Sequence, residues 1–138
     1  MKGRMSSVQL TWVVVMVAIV GCGRSSDATL TELQRVKSET LDVVVKSPHG
    51  GLQHGKDTFI IEFQSGDGKL VDVGDVRGSA TMPMPGMPMF GAVDVKRTNT
   101  DGRYAADAQL GMAGTWRMTI EWRGSLSQGT VTFMGSVQ

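Results

Sequence analysis

The 138-residue sequence lacks several features that define large classes of protein. It has one cysteine, Cys22, so no disulfide can form within the chain. Its formal net charge is only +1 and its basic residues form no stripe, which argues against nucleic acid as a partner. HExxH, GxSxG, GxGxxG and Walker sequences are all missing, so we expect a protein that is not an enzyme.

The N-terminus carries the one long apolar run, residues 8–21, preceded by Lys2 and Arg4. This order is typical of a signal peptide, and the run is short for a membrane-spanning helix. It ends in IVGC, which resembles the bacterial lipoprotein box, where cleavage precedes a cysteine that becomes lipidated. We expect residues 1–21 to be a cleaved lipoprotein signal peptide, although an uncleaved membrane anchor is the alternative. The lipid on Cys22 would anchor the protein in the cell envelope, facing the periplasm or the cell exterior.

Residues 22–39 predict a polar tether, and the stretch 29–38 within it fits two structures. Thr29 and Glu32 match a helix capping box, which would give a short helix. The strand that follows could equally extend back into this stretch. The sequence leaves the choice between helix and strand open here.

From residue 40 onwards the sequence has the two-residue period of β-strands. The clearest strand is residues 115–122, TWRMTIEW, in which apolar and polar side chains alternate. About seven such strands are separated by glycine, proline and Asp-Gly turns at intervals of roughly 8–12 residues. This pattern predicts an all-β domain over residues 40–138, an immunoglobulin-like β-sandwich.

The segment TMPMPGMPMF, residues 81–90, interrupts this pattern with alternating methionine and proline. Thioether sulfur is a soft ligand that suits Cu(I), and a Pro85–Gly86 turn would bring the two halves of the segment together. Two histidines of a glycine-rich turn could add imidazole if that turn lies at the same end of the sandwich. The candidate metal ligands are Met82, Met84, Met87, Met89, His49 and His54.

Two other interpretations of this segment stay open. Methionine surfaces repack easily, so the segment could be an apolar lip that contacts a protein partner without any metal. It could also be a purely structural loop whose methionines fill space, as we expect for Met112 in the GMAG corner.

Several motifs together resemble the YtkA-like domain family, which is related to the FixH-like proteins. They are GKD before the second strand, GDGK in the next turn, MPMPGMPM, DGRY and MAGTW, and they span about residues 41–123. The resemblance implies a small extracytoplasmic β-sandwich that is often tethered to a membrane. Some members look like accessory proteins near copper handling, metal efflux or cytochrome oxidase assembly. FixH-like proteins have a spanning N-terminal helix, and this chain has IVGC instead.

We therefore expect a lipid-anchored, extracytoplasmic binding protein that handles a soft metal such as Cu(I) through its Met/Pro-rich loop. The alternative function is a non-metal interaction module for a membrane efflux or oxidase-assembly system. In that case the loop would dock on a membrane protein. Gene neighbours, copper pumps in particular, would discriminate between these functions.

Overall fold

The structure, a computed structural model, describes residues 29–138, which form eight antiparallel β-strands and no helix. The strands are β1 (Thr31–Lys37), β2 (Asp42–Ser47), β3 (Gly55–Gln64), β4 (Asp75–Met82), β5 (Met89–Arg97), β6 (Arg103–Leu110), β7 (Gly114–Arg123) and β8 (Gln128–Val137). Accordingly, this part of the chain contains no helix that could cross a membrane. The predicted signal peptide and the predicted lipidation of Cys22 lie outside the described residues.

The strands follow the order β1-β2-β3-β6-β5-β4-β7-β8, and β5 joins two layers. Its residues 89–91 pair with β4, whereas its residues 92–97 pair with β6. Strands β2-β3-β6-β5 therefore face β4-β7-β8, which is the arrangement of a seven-strand immunoglobulin-type sandwich, and β1 is added at one edge. A bridge between Leu52 and Val137 joins the other side, so the sandwich is nearly a barrel. The predicted all-β sandwich is confirmed.

Residues 31–37 form β1, so the alternative of a short helix is wrong and the sandwich begins before residue 40. The register between β1 and β2 shifts between Glu32 and Gln34. This bulge adds one residue to β1 and resets its alternation. Because of it, Leu33 and Val36 both pack against the core although they are three residues apart. A bulged strand therefore produces the spacing that resembles a helix.

The inward faces predicted from the alternation form the core between the layers. The buried residues of these faces are Leu41, Val43, Val45, Tyr104, Ala106, Ala108, Leu110, Trp116, Met118, Ile120 and Trp122. Phe63 of β3 packs edge-on against Tyr104 and Trp122, with ring centroids 5.5 and 5.3 Å away. Since Tyr104 belongs to β6 and Trp122 to β7, these aromatic contacts hold the two layers together.

The strand directions place three loops at one end of the sandwich. Strands β2, β4 and β6 run towards this end, and β3, β5 and β7 run away from it. The loops 48–54, 83–88 and 111–113 lie there, together with Thr31 at the start of β1. We call this the methionine end, because the Met/Pro segment belongs to it.

Candidate functional site

The Met/Pro segment forms the turn of the β4–β5 hairpin. Met82 and Met89 are the last paired residues of the two strands. Beyond them lie residues 83–88, with a turn at Pro85 and Gly86, and Gly86 has a φ of +82°. The prolines of this loop cannot donate to a β-ladder, and glycine tolerates the left-handed φ that a Pro-Gly turn requires. The predicted turn is confirmed, and the hairpin tip has a defined shape.

Two of the four candidate methionines, Met82 and Met89, face the interior of the sandwich. Directly paired residues share one face of the hairpin, with Cβ atoms about 5 Å apart. Met82 is only 7% exposed, and its methyl lies 2.7 Å from where a Cβ on Gly114 would stand. The Met89 methyl lies 3.3 Å from the corresponding point on Gly111. Both side chains therefore pack on the β6–β7 corner, where glycines leave room for them.

The other two candidate methionines, Met84 and Met87, project into solvent from the loop. Met87 is 76% exposed and Met84 is 41% exposed. The hairpin thus separates the four predicted ligands into an inward pair and an outward pair. Any single site formed with little rearrangement would draw on the inward pair.

A fifth methionine, Met112, lies in the β6–β7 corner that the inward pair contacts. Trp116 Nε1 donates a hydrogen bond of 3.0 Å to the Met112 carbonyl oxygen, which holds the corner to the core. The interpretation of Met112 as a space-filling residue overlooked its position beside the other two methionines. The available signal was the GMAG sequence, because glycines at positions 111 and 114 permit close approach of other side chains.

Both predicted histidines belong to loop 48–54, so they lie at the methionine end as the metal hypothesis requires. His49 borders a surface groove with Ala92 and Asp107, on the outer face of the β5–β6 pair. His54 Nδ1 lies 2.8 Å from the backbone oxygen of Gln138, which can only accept, so this nitrogen donates. The structure brings the histidines to the correct end, and it places neither of them on the inner face with the methionine pair.

The methionine end also differs from the rest of the domain in charge. Residues 81–92 and 110–116 contain no charged side chain. No group of three or more His, Cys, Asp or Glu side chains within residues 29–138 is placed to hold a metal ion. The side-chain donors that the methionine end offers a metal ion are therefore thioether sulfur and the two imidazoles, and thioether sulfur favours soft ions.

Two of the charged networks of the domain lie away from the methionine end. At the opposite end, Arg97 Nη1 lies 2.8 Å from Asp72 Oδ2, and this guanidinium lowers the pKa of Asp72 to about 2. On the outer face of the β2–β3–β6 layer, Glu62 is buried beside Lys46 and Arg103, at 2.8 Å from each. Burial raises the pKa of Glu62, but the two cations and a neighbouring amide outweigh it and hold the pKa below its ordinary value. These groups stabilise the sandwich and lie outside the uncharged segments 81–92 and 110–116.

Comparison with known proteins places the chain in a family. Among solved structures it is similar to the ZirS C-terminal domain, with a TM-score of 0.45 and 15% sequence identity, over 99% of this chain and 97% of that chain. Comparison with curated proteins finds no match. The profile of the YtkA-like family matches residues 35–121, which is more than half of the chain. This protein belongs to the YtkA-like family.

Proposed function

We propose that this protein is a lipid-anchored, extracytoplasmic binding domain that holds a soft metal ion, Cu(I) in the first instance, at its methionine end. The observation that carries the proposal is that two methionines pack on a chain corner that contains a third. Met82 and Met89 face each other across the hairpin and contact the corner that contains Met112. Thioether sulfur is a ligand that Cu(I) accepts and that harder ions bind poorly.

The surroundings of these methionines support the same choice of ion. No carboxylate occurs in residues 81–92 or 110–116, so these segments offer Mg²⁺ and Ca²⁺ no charged oxygen ligand. The prolines restrict the loop, which lowers the entropy lost when the sulfurs close on an ion. Cu(I) bound here would be held by Met82, Met89 and Met112, with the outward methionines available to deliver it.

The proposal is tested by titrating the full chain, purified in detergent, with Cu(I) against a competing chromogenic chelator. Leucine keeps the bulk and removes the sulfur, so Met82→Leu, Met89→Leu and Met112→Leu are the informative variants. Each should weaken Cu(I) binding by at least about tenfold, because even outer contacts of metal sites contribute that much. Met134→Leu, on the outer face of β8, is the matched control and should bind as the parent does.

Two outcomes contradict the metal proposal. A parent chain that does not compete with the chelator has no such site, and the non-metal docking lip then becomes the better interpretation. Undiminished affinity in all three leucine variants would place bound copper elsewhere. Bound Cu(I) should also raise the unfolding temperature of the parent more than that of the variants, since a ligand that binds only the folded state stabilises it.

A further inference from the structure

The methionine end collects most of the exposed apolar surface of the domain. Within residues 29–138, six large hydrophobic side chains are exposed, and five of them lie at this end or in the cross-strand row of Phe90 beside it. They are Met84, Met87, Phe90, Met112 and Met134. Phe90 is 78% exposed and Met87 is 76% exposed, and the surrounding segments carry no charge. An apolar cluster of this kind marks a contact surface rather than an ordinary solvated loop.

The chain enters the sandwich at this same end. Thr31 pairs with Ser47. Ser47 lies one residue nearer the methionine end than the cross-strand row that contains Lys46 of β2 and Lys96 of β5. In β5, Met89 lies six residues beyond the level of Thr31, which corresponds to about 20 Å of strand. The hairpin tip therefore projects past the point where the chain enters the sandwich.

The length of the preceding segment limits how far this tip can be from an anchor. Cys22 is nine residues before Thr31, and nine extended residues span at most about 30 Å. The apolar run of residues 8–21 ends immediately before Cys22. Whether the anchor is a lipid on Cys22 or the apolar run itself, its attachment point lies within about 30 Å of Thr31 at the methionine end.

We propose that the methionine end lies against the lipid bilayer, with Met87 and Phe90 in contact with the membrane interface. This inference rests on the proposed membrane anchor. Exposed apolar and aromatic side chains gain free energy at the headgroup–acyl boundary, and the anchor confines them there. The outward methionines would then meet the membrane, and the inward ones would exchange metal at its surface.

The test places one reporter at each end of the full chain, reconstituted in phosphatidylethanolamine–phosphatidylglycerol vesicles. Cys22 is the only cysteine, so its lipidation, checked by mass spectrometry, leaves an introduced cysteine as the single site for a polarity-sensitive fluorophore. Met87→Cys labels the hairpin and Leu126→Cys labels the opposite end, where Leu126 is 88% exposed. We expect blue-shifted emission and several-fold stronger quenching by spin-labelled lipid at position 87 than at position 126.

The outcomes separate this inference from the anchor on which it rests. A chain that does not float with the vesicles overturns both the membrane anchor and the lipid contact. So does a chain whose Cys22 is unmodified and that shows no membrane attachment. A chain that floats but gives aqueous emission at position 87 overturns the lipid contact alone and leaves the surface to a protein partner. Adding Phe90→Ser to the labelled Met87→Cys chain should reduce the quenching, and unchanged quenching would also contradict the proposal. Circular dichroism of each variant shows that the sandwich is folded.

Discussion

Truncating Met82 should destabilise the domain, whereas truncating Met87 should not, although both belong to the same short segment. Met82 is 7% exposed and packs on the β6–β7 corner, so Met82→Ala removes three buried heavy atoms and leaves a cavity. Such changes cost about 2–5 kcal/mol, and the lower half of that range applies to a site at the edge of the core. Met87 is 76% exposed, and its replacement by alanine should change stability by less than about 0.5 kcal/mol.

The measurement is urea unfolding of the full chain in detergent, followed by tryptophan fluorescence. For a cost of about 2–3 kcal/mol and ordinary denaturant dependence, the midpoint of Met82→Ala should fall by about 1–2 M. Met82→Leu is the control, because it nearly conserves volume and should lose less than about 1.5 kcal/mol. Equal midpoints for the two alanine variants would refute the division into inward and outward methionines. A large loss in Met82→Leu would show that leucine cannot be used to isolate the role of sulfur.

Two further predictions concern the opposite end of the sandwich. Gly102→Ala should lower the free energy of unfolding by about 1–3 kcal/mol more than Gly86→Ala does. The two glycines have nearly equal φ (+84° and +82°), but only a Cβ at position 102 would meet backbone, at 2.7 Å from Val71 N. Equal losses in urea unfolding would contradict this prediction. Arg97 lowers the pKa of Asp72 to about 2. The stability that the Asp72 carboxylate contributes is therefore fully present above its unfolded pKa near 3.9, and it is lost as pH falls from about 5 to 2. Asp72→Asn should therefore flatten this part of the stability profile by a small amount, since the pair is exposed, and an unchanged acid slope would contradict the assignment.

The strands were predictable because each has one buried and one exposed face. In β7 the alternation of Trp116, Met118, Ile120 and Trp122 is unbroken, so its inward face follows directly from the sequence. Strand β1 was not predictable in the same way, because its bulge shifts the period by one residue. A pattern argument assumes a regular period, and it fails where a single inserted residue changes the facing.

The candidate site was predictable as a segment but not as an arrangement. The composition of residues 82–89 identified the methionines, and the Pro85–Gly86 turn follows from turn chemistry. The packing of Met82 and Met89 on the β6–β7 corner, which contains Met112, depends on β4, β5 and that corner meeting at one end, which is a long-range property of the topology. No local pattern in the sequence contains that information.

The hairpin places methionines that are neighbours in sequence in different environments. Met82 and Met89 are held by strand pairing and by the corner glycines, so their sulfurs are positioned before any ligand arrives. Met84 and Met87 lie in a loop that the prolines exclude from the ladder, so they stay outside the sandwich in every register that preserves the core. The proposed metal binding and the proposed membrane contact are therefore separable by substitution. Leucine at an inward position should remove the first alone, and serine at an outward position should remove the second alone.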